Sequence, residues 1–125
     1  MAGVNETILV IDDEAHILHV VRLKLENAGY TVITASDGEE GYEVACERIP
    51  DLIITDHQMP YLTGLQMCEK LRGRPMTADI PVLLVTAQGY GMDRDELSRL
   101  RIAHTISKPF SPRDLLTQVA SVLAA

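Results

Sequence analysis

The sequence has no basic excess, no long apolar run and almost no cysteine, and each shortage removes a class of protein. Lys and Arg number 11 against 18 Asp and Glu, leaving a net charge of −7. Nucleic-acid binding needs a basic face that replaces phosphate counterions, so no direct nucleic-acid contact is expected. The longest apolar stretch, centred on Pro81–Val85, falls far short of the ~20 residues of a membrane helix, and no membrane insertion is expected. The opening MAGVNETILV lacks the basic and apolar regions of an export signal, which points to the cytoplasm. Cys46 and Cys68 stand in separate segments without metal-ligand spacing and read as reduced packing residues. His16, His19, His57 and His104 share no ligand spacing either, and read as solvated or locally bonded.

What remains is 125 residues of 46% hydrophobic content, enough for one globular domain spanning 1–125. Two apolar patterns alternate along it. Short branched runs at Ile8–Ile11, Thr31–Thr34, Leu52–Thr55, Val82–Val85 and, more weakly, Thr105–Ile106 suit strands buried on both faces of a parallel sheet. Helical spacing fills the gaps. Ile17, Val20, Val21, Leu25 and Ala28 form one face, with Gly29 as C-cap. A second helix is expected over Gly38–Arg48, with Asp37 as N-cap and Pro50 beyond its end. A third runs from Gly64 to about Arg72, and a fourth, loosened by Gly89 and Gly91, lies near Asp93–Leu100. SPRD opens the fifth, with Ser111 as N-cap, Pro112 in the first helical position and Asp114 in the first turn.

Strand followed by helix, repeated, predicts right-handed crossovers and an α/β fold: one doubly wound, five-stranded parallel sheet with helices on both faces. Ligands bind such sheets outside the carboxyl ends of the strands. Asp12, Asp13 and Glu14 follow the first strand, Asp56 the third, Thr86 the fourth and Lys108 the fifth, so these residues are expected on one rim. Two unit charges ~4 Å apart repel by about 4 kcal/mol at an effective dielectric near 20. A hard divalent cation relieves that repulsion, and a carboxylate set with few soft ligands suits Mg²⁺, with Mn²⁺ as a substitute. A carboxylate nucleophile beside a metal, a lysine and a hydroxyl is a phosphoryl-accepting site: Asp56 attacks phosphorus in line while the cations hold the equatorial oxygens.

ILVIDDE, LIITDHQMPYLTG, VLLVTAQ and ISKPF together resemble the receiver domain of two-component response regulators, over essentially the whole chain. The spacings between Asp56, Thr86 and Lys108 match as well. The resemblance implies a flavodoxin-like strand order 2-1-3-4-5. It implies that Asp56 is the phosphoacceptor and Asp13 a direct Mg²⁺ ligand. Asp12 would bind the ion through water, and the backbone carbonyl of Gln58 would be a further ligand. Thr86 would be the switch hydroxyl and Lys108 the phosphoryl-pairing lysine, joined to Pro109 by a bond that is often cis. Met59–Pro60 and Gly64 match the loop after the acceptor. The implied partners are a sensor histidine kinase or a histidine phosphotransfer protein, and a downstream protein target. The phosphoryl group would be taken up once and lost slowly to water, without conventional enzymatic turnover.

Taken singly, each residue has a plainer reading. Asp13 could cap the first helix, Asp56 could sit in an ordinary turn, Thr86 could only pack, and Lys108 could be a solvated loop lysine. The chain also departs from the family, since Thr105 occupies a position usually held by an aromatic, and neither Tyr90 nor Phe110 replaces it. Mobility at Gly89 and Gly91 is therefore expected to carry part of the signal, with Ala87, Gln58 and Gln88 setting phosphoryl lifetime. Three alternatives stand beside the switch. A degenerate receiver would serve only as an interaction surface. A haloacid-dehalogenase-type phosphatase would need a second aspartate where Gln58 stands. A flavin module would need a phosphate cradle where DDEA repels phosphate.

Overall fold

A computed structural model describes residues 6–87 and 92–124. The expectations attached to Gln88, Gly89, Tyr90 and Gly91 lie outside those residues. Strands and helices alternate: β1 (Thr7–Ile11), α1 (Ala15–Asn27), β2 (Thr31–Ala35), α2 (Gly38–Arg48), β3 (Leu52–Asp56), α3 (Gly64–Arg72), β4 (Val82–Thr86), α4 (Arg94–Arg99), β5 (Ile102–Ser107) and α5 (Pro112–Ala124). The strands form one sheet in the order β2-β1-β3-β4-β5, and every neighbouring pair is parallel.

The central strands are continuous apolar runs because both sheet faces are covered. Successive side chains point to opposite faces, and this divides the interior into two cores. Leu9, Ile11 and Ile53 pack with Met67, Cys68 and Leu71 of α3 and with Leu100. Ile8, Val10, Leu52, Ile54, Leu83 and Val85 pack with Val21 and Leu25 of α1 and Leu115 and Val119 of α5. Each fully buried Leu or Ile contributes about 1.5–3 kcal/mol relative to exposure.

The helix ends follow local chemistry. Asp37 caps α2 by accepting from the Glu40 amide. Ser111 Oγ accepts from the Asp114 amide at the start of α5. Helix α3 opens on a reciprocal capping box between Thr63 and Gln66, which the TGLQ spacing could have revealed.

Three expectations need correction. Strands β2 and β5 are sheet edges, so they are not buried on both faces; Thr31, Ala103, His104 and Thr105 are exposed. The expected apolar face of α1 holds at Ile17, Val21 and Leu25 but loses Val20, 37% exposed, and the exposed Ala28, because only one stripe of the helix meets the sheet. Ala28 rather than Gly29 is the C-cap, and Gly29 follows at φ +103°, where a side chain would be strained.

Candidate functional site

The carboxyl ends of β1, β3 and β4 form one rim because the three strands are adjacent in the parallel sheet. Asp12 follows β1 directly, and Asp56 and Thr86 are the last residues of β3 and β4. All three are buried, while Asp13 is exposed. Carboxylate oxygens of Asp12, Asp13 and Asp56 lie within 4.8 Å of one another.

Lys108 reaches this group from the loop after β5. Its Nζ is 3.4 Å from Asp12 Oδ2, 3.3 Å from Glu14 Oε1 and 3.4 Å from Asp56 Oδ2. The Lys108 amide donates to the Thr86 carbonyl, which anchors the loop, and the Lys108–Pro109 peptide is cis. The pairing with Glu14 was absent from the sequence reading, because nothing in the spacing distinguishes Glu14 from its two neighbours.

Backbone amides orient the buried carboxylates. The Glu14 amide donates to Asp12 Oδ1 at 2.9 Å and the His57 amide to Asp56 Oδ1 at 3.0 Å. Helix α1 has Glu14 at its N-cap with no side-chain cap, so Asp13 does not serve the capping role that was its plainer alternative. A Cβ on Gly64 would lie 2.7 Å from the Asp56 carbonyl oxygen and 2.8 Å from Leu84 Cδ1, so only glycine lets α3 start this close to the end of β3.

The electrostatics are unrelieved. Burial, reinforced by the Asp12 charge, raises the Asp56 pKa to about 6, despite Lys108 and the His57 amide. Burial also raises the Asp12 carboxyl above its ordinary value against the Glu14 amide and Lys108. Desolvation pulls on the Lys108 ammonium, but the Asp12 and Asp56 charges outweigh it and hold its pKa high. One lysine does not neutralise three clustered carboxylates. Oxygen-only donors at this separation fit a hard divalent cation, and two of them are already oriented by amides.

An open cleft of about 540 Å³ lies over the group, lined by Asp13, Glu14, Asp56, Gln58, Ala87 and Lys108. The Gln58 carboxamide lies against Thr86, with Nε2 donating to Oγ1 at 3.2 Å. Thr105 is exposed on the edge strand, and Phe110 packs against the α1–α5 core, so neither supplies a ring beneath Thr86. His57 departs from its expected solvated or bonded state. Its Nδ1 is buried without a hydrogen-bond partner among the described residues, and the residue lines a pocket with Leu65, Met92, Asp93 and Glu96. Burial lowers its pKa. His16, His19 and His104 are exposed, and both cysteines are free.

Parallel five-stranded architecture, an acidic rim and a lysine from the last strand's loop define a receiver-type phosphorylatable switch. Residues 8–120 match the response regulator receiver domain family, and the chain belongs to it. It is 40% identical over 119 residues to the alkaline phosphatase synthesis transcriptional regulatory protein PhoP of Bacillus subtilis, covering 95% of this chain and 49% of that protein. It is 35% identical over 120 residues to the phosphate regulon transcriptional regulatory protein PhoB of Pseudomonas aeruginosa, covering 96% and 52%. The chain therefore spans about half the length of these relatives. Among solved structures, the chemotaxis response regulator CheY4 of Vibrio cholerae superposes with a TM-score of 0.88 at 30% identity, covering 94% of this chain and 98% of that one. Among the described residues, no helix is long and apolar enough to cross a membrane.

Proposed function

We propose that Asp56 accepts a phosphoryl group from a phosphohistidine on a sensor histidine kinase or a histidine phosphotransfer protein, in a Mg²⁺-dependent reaction in the cytoplasm. The observation that carries this reading is the approach of the Asp12, Asp13 and Asp56 carboxylates to within 4.8 Å of one another, with Lys108 Nζ 3.4 Å from Asp56.

Asp12, Asp13, Asp56 and the backbone carbonyl of Gln58 would hold the ion, Asp12 mainly through water. When bound, Mg²⁺ or Mn²⁺ supplies neutralising charge and a ligand site for a phosphoryl oxygen. A carboxylate oxygen of Asp56 forms the new bond to phosphorus, and the bond to the histidine nitrogen breaks with its electron pair leaving on the imidazole. Lys108 then pairs with an equatorial phosphoryl oxygen, and the Thr86 hydroxyl donates to another. Asp56 is a nucleophile only when ionised, which its pKa of about 6 allows at neutral pH.

Release to water is slow on this reading, and turnover is absent. Gln58 stands where an aspartyl phosphatase needs its acid–base group, and a carboxamide neither gives up nor takes a proton as a general acid or base near neutral pH. An acid-lined cleft likewise opposes flavin phosphate. The complete acidic set favours a phosphorylated switch over a degenerate one. Output is a change in binding to a protein target, without nucleic-acid contact through these residues, which carry the net charge of −7.

The test is phosphoryl transfer from a phosphorylated histidine phosphotransfer protein, followed by intact mass. Asp56→Ala is expected to lose labelling completely while keeping its circular dichroism spectrum; retained labelling rejects the assignment. Lys108→Ala is expected to keep residual labelling but to lose most of the phosphorylation-induced change in amide resonances. An undiminished response in that variant removes Lys108 from the switch.

A further inference from the structure

Phosphoryl oxygens arriving on Asp56 need donors from the β4 tip, and in the resting chain these donors already have a partner. The Gln58 carboxamide Oε1 accepts from the Thr86 hydroxyl at 3.4 Å and from the Ala87 amide at 3.5 Å. Its Nε2 also donates to Thr86 Oγ1 at 3.2 Å. Gln58, Ala87, Asp56 and Lys108 line the same cleft. We infer that the Gln58 side chain is a resting-state latch: its oxygen holds the place of a phosphoryl oxygen on Thr86 and Ala87, and must leave before that group is bound. This deepens the proposed function and rests on Asp56 being the acceptor.

The energies point one way. The carboxamide bonds are long, neutral and made by an exposed residue, so each contributes little. Bonds from the same donors to an oxygen of an anionic phosphoryl group are shorter and about twice as strong. Exchange is therefore favourable once the group arrives, while beforehand the carboxamide is a weak competitor for the same donors. No bond of the chain is made or broken; one acceptor replaces another. Through its proposed backbone ligand and its side chain, Gln58 ties the ion site to Thr86 in a single residue.

Two variants separate hydrogen bonding from bulk. Gln58→Ala removes both, whereas Gln58→Met keeps the bulk and removes the hydrogen bonds. The full 125-residue chain is first observed metal-free by NMR. In both variants the Ala87 amide proton is expected to move upfield. Unchanged signals in both overturn the latch. Trifluoroberyllate, a phosphoryl mimic, is then titrated at saturating Mg²⁺. Both variants are expected to bind it roughly threefold to tenfold tighter than wild type, the range that loss of a weak competing hydrogen bond gives. Tighter binding by Gln58→Ala alone assigns the effect to bulk and overturns the latch. Equal affinity in all three chains also overturns it and leaves the acceptor reading intact. Failure of all three to bind the mimic removes the acceptor reading, and the latch with it.

Discussion

Arg72 and Asp56 are both drawn out of water, yet their surroundings treat them in opposite ways. Arg72 leaves α3 and, among the described residues, donates its hydrogen bonds to backbone carbonyls. Nε donates to Leu100 at 2.8 Å, Nη1 to Ala78 at 3.0 Å and Ile80 at 2.8 Å, with longer contacts to Thr77 and Arg101. The planar fork suits several acceptors at once. Burial lowers its pKa, but the guanidinium stays charged and its donors are occupied. Asp56 instead faces another buried carboxylate, and its pKa rises to about 6. The satisfied charge ties α3, the following loop and the turn before β5 together. The crowded one, held by one amide and one shared lysine, leaves a demand that a cation can meet, and perturbed carboxylates of this kind mark candidate functional sites.

The comparison breaks most visibly at Arg72. Arg72→Met keeps the stem but leaves several inward carbonyls without a donor, and is expected to cost about 2–4 kcal/mol in urea unfolding. Arg72→Lys should recover only part of this, since a point charge cannot reach acceptors spread along a fork. A loss below about 0.5 kcal/mol would show that water replaces the guanidinium freely.

Neutralising the acidic rim should act in the other direction. The unfolded Asp56 carboxyl titrates near 3.8 and the folded one near 6, so the folded state holds the extra proton between these values. Stability is therefore lost as pH rises through that window, and the penalty is complete above about 6. Asp56→Asn is expected to stabilise the metal-free chain by about 1–3 kcal/mol at pH 7, less whatever its Lys108 contact contributed. The gain should shrink as pH falls through this window and vanish at about pH 2, well below the unfolded value of 3.8, where both states of the wild type are protonated. Thermal unfolding across pH reads this, and a gain at about pH 2 as large as that at pH 7 sinks the electrostatic account.

Mg²⁺ should act as the asparagine does, by removing the same repulsion. At about one hundred times its dissociation constant it is expected to raise wild-type stability by about 2.7 kcal/mol, with far less effect on Asp56→Asn. Equal stabilisation of both chains would locate the ion elsewhere. The smallest effect belongs to the exposed Arg101–Asp79 pair, 3.0 Å apart with Asp79 91% exposed. Asp79→Ala should change stability by no more than about 0.5 kcal/mol, which separates ion pairs in water from the two buried clusters.

Much of this was legible in residue order. The apolar runs located the three central strands because burial on both faces leaves no polar position to interrupt them. Asp37, Ser111 and Pro112 announced helix starts because capping is a local reaction of a side chain with the next turn. The edge strands read less clearly: β5 shares its exposed residues with solvent, so its pattern weakens to Thr105–Ile106. Asp12, Asp13, Asp56, Thr86 and Lys108 could be assigned to one rim because parallel topology brings strand ends together. Arg72, the Glu14–Lys108 pair and the buried Nδ1 of His57 could not, since each depends on a neighbour remote in sequence.

Local chemistry alone determined where helices start, which runs are strands and which residue types stand at the strand ends. Tertiary packing decided how those residues meet: which carboxylates lose water, which amides orient them, and that Gln58 lies across Thr86. The division is physical. Propensity, capping and alternation act over a few residues, whereas desolvation and repulsion depend on groups that only the finished sheet makes adjacent.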